Sequence, residues 1–300
     1  MYDLIVIGAG PAGITAAIYA IRKKINLLVI SKDIGGQAAW SGDIENYTGY
    51  QFITGPELAS KFEDHMHKYG ISMKEGEEVV DVRKTDEKVI VKTDKGTYES
   101  KMVIVASGKK SRELNVPGEV EFKNRGLTYC ATCDAPIFSG KSVAIIGGGN
   151  SALDAALQLM RIAKNVYLIN TAARLTGDPV MIEKVQESKI VSIMNSAKVL
   201  SITGDKMVKG IKVEHSGKAL ELAVEGIFVE IGLVPNSHFI PLVAKNSLGE
   251  IIVNSFNHTN IPGLFAAGDV TDVPEKQIII AGGEGAKAAL SAFRYLNQQR

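Results

Sequence analysis

Two stretches of the chain repeat one pattern of apolar and polar positions. DLIVIGAGPAGITAAIYAIRKKINLLVIS spans residues 3–31, and KSVAIIGGGNSALDAALQLMRIAKNVYLIN spans residues 141–170. Each opens on a short Ile/Val-rich run without polar alternation, the signature of a parallel strand buried on both faces. Each then turns on glycines, continues as an Ala-rich segment with helical spacing, and closes on a second apolar run. The second runs end at Ser31 and Asn170, the same distance past the first glycine of their turns. The pattern predicts strand–turn–helix–strand, twice.

Between and after these copies the pattern changes. A Gly-rich stretch, GGQAAWSGDIENYTGY, leads into a helical segment, GPELASKFEDHMHKYG. Short β-like runs follow at EEVVDV, KVIVKT, GTYES and MVIVASG, read as an antiparallel excursion that returns to the sheet. NVPGE, residues 115–119, has linker character. A second meander is expected over 197–231, ending in GIFVEIGLVPN, followed by GEIIVNSF, GLFAAGDV and a final Gly/Ala-rich helix, AGGEGAKAALSAFRYL. The expected architecture is α/β, with two Rossmann-like, three-layer ββα nucleotide-binding domains. The first is discontinuous, 1–114 plus 246–300. The second, 115–245, is inserted into it, so two linkers join them and form a natural hinge.

The glycines give both turns their chemistry. In the first they are Gly8, Gly10 and Gly13; in the second Gly147 and Gly149, with Ala152 in the third place. The first glycine of such a fingerprint permits the tight turn, the second lets the backbone approach a pyrophosphate, and the third position lets helix and strand pack closely. The pyrophosphate then rests on amides at the helix N-terminus. A lone GxGxxG is a weak signal; here each follows a strand and opens a helix. Two nucleotide folds in one chain imply two nucleotides, and a flavin with a nicotinamide is the usual pair.

Composition removes several classes. Of 300 residues, 34 are Lys or Arg and 33 Asp or Glu, for a formal net charge of +1, so no basic field points to nucleic acid or an anionic membrane. No apolar run reaches bilayer length. The N-terminus enters a strand-like run at once, with no basic region and cleavage site, and a cytoplasmic setting is expected. There a structural disulfide would be unusual. The chain has only 2 cysteines, Cys130 and Cys133 in YCATCD. Their spacing fits a metal half-site, a staple or a working dithiol. Zinc wants four ligands, and the 5 histidines offer only His65 and His67 close together, in a polar helical stretch.

With GAGPAG, GGQ, IENY, YCATCD, GGGNSA and FAAGDV in this order, the chain resembles the low-molecular-weight thioredoxin reductases over essentially its whole length. GDIENY, VPGE, IFVEIGLVPN, GEIIV and KQIII make it especially similar to the reductase portion of the alkyl hydroperoxide reductase flavoprotein subunit. That subunit carries extra N-terminal thioredoxin-like domains. This sequence begins directly at the first fingerprint, so a separate thiol carrier is expected.

The resemblance implies FAD on Gly8, Gly10, Pro11, Ala12 and Gly13, with Ser31, Gly36 and Gln37 following the adenosine and phosphates. It implies Asn46 near the isoalloxazine, Asp269 after Gly268 at the ribitol and phosphates, and Lys276, Gln277 and Ile278 near the pyrimidine edge. Positive charge there would offset the negative charge gained on reduction. Val80, Ser107 and Gly108 complete the FAD set. Gly147, Gly149, Asn150, Ser151, Asn170, Arg174, Ile231 and Gly232 would hold the nicotinamide nucleotide. Cys133 would be the flavin-proximal thiol, Cys130 the thiol that meets the partner, and Asp134 the acid/base beside them. The competing reading of Asp134 is a helix N-cap. The resemblance further implies a homodimer, and a large rotation of the inserted domain about its linkers.

One segment departs from the family. NADPH-using members carry a His–Arg–Arg cluster after the second strand of the second fold; here those positions are Asn170, Thr171 and Ala172, and Arg174 is the one nearby cation. Each lost charge-assisted hydrogen bond costs about 1.5–3 kcal/mol, so NADH is favoured over NADPH, although no acidic residue selects it. A ferredoxin or deazaflavin donor is the alternative. The expected acceptor is a thioredoxin- or glutaredoxin-like protein; the rivals are a peroxiredoxin-feeding reductase and a flavin-binding regulatory protein without turnover.

Overall fold

The computed structural model of the 300-residue chain describes residues 1–40, 43–44, 46–129 and 131–298; for Trp40, Asp43, Thr132 and Cys133 it describes the backbone alone. The chain forms two compact units, Met1–Lys110 with Val234–Arg300, and Ser111–Leu233.

In the first unit the strand Tyr2–Ala9 lies parallel between Leu27–Ile34 and Thr97–Val105, with Leu4 opposite Leu27 on one side and Met102 on the other. Ser72–Glu75 extends the sheet beyond Leu27–Ile34, and Leu264–Ala266 pairs with Thr97–Val105. Successive side chains of a strand face opposite ways. Leu4 and Val6 therefore join one core, with Ile14, Ala16 and Ala17 of helix Pro11–Arg22 and Ala288 and Ala292 of helix Ile278–Gln298. Ile5 and Ile7 join the other, with Val82, Val89 and Val91 of the antiparallel strands Val79–Lys84 and Val89–Thr93. Helices cover one face and a β-meander the other, which is the three-layer arrangement expected.

The second unit repeats this plan. Its parallel sheet runs Leu127–Thr128, Gly226–Val229, Ser142–Ile146, Asn165–Ile169, Val191–Met194. Val143 and Ile145 pack with Ala152, Leu153 and Ala156 of helix Asn150–Leu159. Ala144 and Ile146 pack with Val199, Ile211 and Val213 of the antiparallel strands Ala197–Gly204 and Val208–His215.

Two details differ from the sequence expectation. GTYES and MVIVASG merge into one strand, Thr97–Val105. Within GEIIVNSF, Ile251 makes isolated bridges to Lys245 and Thr271. The units divide after Lys110 and Leu233, not after 114 and 245. The physical reason is that Phe239, Ile240 and Val243 fill the core beside Ile5 and Ile7, and Val82 N donates to Phe239 O. Each crossing is fastened within its own unit. Asn236 N donates to Gly108 O in the first, and Arg112 N donates to Gly232 O in the second. Among the described residues no helix is long and apolar enough to cross a membrane.

Candidate active site

The first fingerprint is built as a cradle. Gly8 has φ +104°, and a Cβ there would lie 2.3 Å from Ala106 O. A Cβ on Gly13 would lie 1.8 Å from Gly8 O, so this position lets the helix reach the strand. Gly10 is different: a Cβ would meet nothing nearer than Gly35 O at 3.9 Å. Its openness is room for a ligand rather than a packing need. Gly10 is also the N-cap of helix Pro11–Arg22, and no side chain caps that terminus. Helix Gly55–Lys68, by contrast, begins with a full capping box between Thr54 and Glu57. Uncapped amides at a helix start favour an anion. Gly36, with φ +54°, comes against Gly10 from the loop after the second strand. Pyrophosphate chemistry fits this cradle.

Ser31 is buried and already engaged: its hydroxyl accepts from Ala9 N at 3.1 Å and donates to Asp33 O at 2.7 Å. It braces the turn. Asp33, which the sequence reading passed over, is the carboxylate at this strand end; desolvation raises its pKa and Lys32 opposes the rise.

Distant segments converge on the rest of the first-unit set. Gly268 has φ +75°, and its would-be Cβ lies 2.8 Å from Ala12 Cβ, so GDV abuts the first helix. Asp269 follows, its pKa raised by burial against the pull of Lys276 and Lys109. Asn46 Nδ2 donates to Gln277 Oε1 at 3.1 Å, immediately before Ile278 opens the C-terminal helix. Gln37 Nε2 donates to Lys109 O at 3.2 Å. Ser107 Oγ donates to Asn236 O at 2.6 Å and Asn236 Nδ2 returns a bond to Ser107 O at 2.9 Å, fixing Ser107 and Gly108. Val80 is exposed on its strand. The sequence reading missed Asn236, Lys109 and Glu250, the last of which accepts from both Lys109 and Lys276.

The second fingerprint repeats the first. Gly147 has φ +144°, and a Cβ would lie 2.2 Å from Glu230 O and 2.9 Å from Ala152 Cβ. Gly149 is open, its nearest neighbour Thr176 Oγ1 at 4.0 Å, and it starts helix Asn150–Leu159 without a side-chain cap. Ser151 is exposed beside it. Asn150 Oδ1 accepts from Asp178 N at 2.7 Å, which draws the following loop over the turn. Asn170 is buried within that loop. Its Nδ2 donates to Arg174 O at 2.9 Å, Asn195 Oδ1 at 3.1 Å and Ala172 O at 3.3 Å, while its Oδ1 accepts from Ala172 N. Two hydrogens serve three acceptors, so one contact is shared. Asn170 is thus the scaffold of its loop, and it leaves the Arg174 side chain exposed. Ile231 packs against the core, and Gly232, with φ +97°, is exposed.

Cys130 lies outside the described residues. Cys133 contributes its backbone to the short helix Ala131–Asp134. Asp134 makes no side-chain cap to the following 3-10 turn; Thr128 Oγ1 donates to its Oδ2 instead, across a short bond. Glu230, at the end of strand Gly226–Val229, takes a long 3.4 Å bond from Ala131 N. Burial pushes its pKa up to about 7, with the amide of Ala131 opposing and Asp154 adding. On the other flank, Tyr129 OH donates to Glu119 Oε1 at 2.7 Å, and Glu119 also accepts from the Leu114 and Asn115 amides, each at 2.6 Å. The residue before the CxxC is therefore tied to the incoming linker. Among the described residues no cluster of His, Cys, Asp and Glu could hold a metal ion.

Two uncapped dinucleotide cradles in one chain, with a CxxC–Asp segment in the unit that holds the second, define a two-nucleotide disulfide oxidoreductase architecture. The chain belongs to the pyridine nucleotide-disulphide oxidoreductase family, whose profile matches residues 2–285. It is 42% identical over 299 residues to an alkyl hydroperoxide reductase subunit of Staphylococcus aureus; the match covers 98% of this chain and 59% of that longer protein. It shares its fold with Lactococcus lactis thioredoxin reductase, at TM-score 0.89 and 33% identity over 99% of this chain and 100% of that one. It is also similar to T. acidophilum thioredoxin reductase, at TM-score 0.85 and 37% identity over 98% of each chain.

Proposed function

We propose that this chain is an FAD-dependent disulfide reductase of the thioredoxin reductase type that takes electrons from NADH in preference to NADPH. The observation that carries this reading is the pair of open, uncapped cradles at Gly10 and Gly149. FAD, when bound, would supply a two-electron relay between nicotinamide and disulfide. Gly10, Pro11, Ala12 and Gly13 would hold its pyrophosphate and Asp269 its ribitol side, with Asn46 and Gln277 placed together by their own hydrogen bond. Gly149, Asn150 and Ser151 would receive the dinucleotide.

The dinucleotide gives a hydride, two electrons and one proton; the Cys130–Cys133 bond breaks, and a second proton completes the two thiols. Asp134, which accepts a hydrogen bond from Thr128, would pass that proton. The dithiol then attacks the disulfide of a thioredoxin- or glutaredoxin-like protein through a mixed disulfide, and one proton goes to each product sulfur. The preference for NADH rests on the loop that Asn170 organises, where Arg174 is the one cation between residues 170 and 179.

Anaerobic mixing with NADH, NADPH or a reduced ferredoxin, with flavin absorbance as readout, tests the donor. Fast bleaching by NADH is expected. Bleaching by NADPH alone would overturn the reading of 170–174, and bleaching only by the ferredoxin would favour that donor. Cys133→Ser is expected to retain FAD and hydride uptake while losing thioredoxin reduction. The 42% identity to a peroxide-reductase subunit supports a second reading, in which the dithiol feeds a peroxiredoxin through a carrier. Peroxide turnover with a peroxiredoxin and a thioredoxin-like adaptor, both absolutely required, distinguishes it.

A further inference from the structure

Two lysines from distant parts of the first unit converge on one carboxylate. Lys109 Nζ lies 2.8 Å and Lys276 Nζ 3.1 Å from the same oxygen, Glu250 Oε1. Asn246 Nδ2 donates to the other oxygen at 2.6 Å. The side chains are only 12%, 23% and 9% exposed for Lys109, Lys276 and Glu250, so this is not a surface ion pair. Ions this enclosed lose much of their hydration, and mutual attraction need not restore it. Lys276 also donates to Thr271 O at 2.5 Å, which uses a second of its three hydrogens. Burial opposes ionisation of Glu250, but hydrogen bonds from Lys109, Asn246 and Lys276 hold its pKa down at about 2. Two ammonium groups and one carboxylate leave one net positive charge at this place.

The surroundings of this charge are specific. Lys109 carries the carbonyl that receives Gln37, Lys276 precedes Gln277, and both lysines act on Asp269. The triad therefore borders the segments of Gln37, Asp269 and Gln277, which converge in the first unit from three parts of the sequence.

We propose that Lys109, Glu250 and Lys276 form an electrostatic set that fixes the reduction potential of a flavin bound in this unit, the lysines raising it and Glu250 trimming it. The proposal rests on the FAD reading above. Reduction places negative charge on the ring system, so a fixed cation favours the reduced form and a fixed anion disfavours it. Glu250 acts as a positioning residue: it holds both ammonium groups in place and cancels one of them.

The test uses the flavin-loaded protein with Lys109→Met, Lys276→Met and Glu250→Gln. FAD content is measured after acid release, and the flavin midpoint potential by equilibration with a reference dye. The lysine variants are expected to favour the oxidised flavin about tenfold, a fall of about 30 mV for a two-electron couple. Glu250→Gln is expected to move it by a similar amount the other way. Opposite signs separate an electrostatic role from a structural one, which would shift all three together. Potentials unchanged in all three variants, or displaced in one direction, would overturn the proposal while leaving the FAD reading intact. A wild-type protein that takes up no flavin would overturn both. If Glu250→Gln fails to fold, the two lysine variants decide, and unchanged potentials in both are fatal.

Discussion

Asn46 Nδ2 meets Gln277 Oε1 at 3.1 Å, joining a Gly-rich early loop to the start of the last helix across 231 positions. The bond is exposed, so its own contribution is small. Its value lies in orienting two amides toward one place. An ordinary hydrogen bond contributes about 0.5–1.5 kcal/mol. Asn46→Ala is therefore expected to weaken FAD binding about 3- to 10-fold with little change in unfolding midpoint. Fluorescence titration of the apoprotein reads this directly, and an unchanged dissociation constant would remove Asn46 from the site.

The glycines of the first turn should separate folding from binding. A Cβ at Gly13 collides with Gly8 O, whereas one at Gly10 meets only open space. Gly10 also has φ −80°, which any residue adopts. Gly13→Ala is expected to cost about 2–3 kcal/mol of stability as an overpacking change. Gly10→Ala should unfold like the wild type yet bind FAD at least tenfold more weakly. Urea unfolding of the apoproteins and FAD titration provide the comparison; equal stability losses would contradict it.

Glu230 sets a pH signature in the second unit. Its folded pKa is raised, from 4.5 to about 7, chiefly by burial. The folded state therefore holds a proton that the unfolded state releases, and stability falls as pH rises through that window. Glu230→Gln removes the ionisation. Its stability relative to wild type should grow between about pH 4.5 and pH 7 and then level off, by at most about 3 kcal/mol. Urea midpoints measured across this range test it, and a difference independent of pH would refute the assignment.

Thr128 and Asp134 form the last test. Thr128→Val keeps the buried volume but removes the hydroxyl that donates to Asp134. Flavin reduction by NADH should be retained, and transfer to thioredoxin should slow about 10- to 100-fold if Asp134 handles protons there. Rescue by Thr128→Ser would identify the hydroxyl as the cause; equal rates in all three proteins would dismiss it.

Much of the fold was legible because its signals are local. Leu4 to Ile7 and Val143 to Ile146 are buried on both faces, so their uninterrupted apolar character was already a strand signature. The glycine turns were equally readable, because strain and close approach are encoded at single positions. The remainder depends on partners remote in sequence. Lys109, Glu250 and Asn236 are ordinary residues until the chain brings them together. Asn170 looked like a ligand residue because it replaces one in the family pattern, yet its neighbours Ala172, Arg174 and Asn195 use its carboxamide. The segment from Phe239 to Val243 reads FIPLV, apolar enough to be core, but apolar character alone does not say which unit's core it fills.

The position facing Asn170 restricts how its loop can change. A Cβ on Gly148 would lie 2.5 Å from Asn170 Cγ, so the glycine and the amide are fitted to each other. An aspartate at 170 would turn an oxygen toward carbonyls that now receive hydrogens, and a longer basic residue would lose the bonds that shape the loop. A point change at 170 is therefore inseparable from the folding of the loop: whatever replaces Asn170 has to come with a rebuilt 170–178 segment.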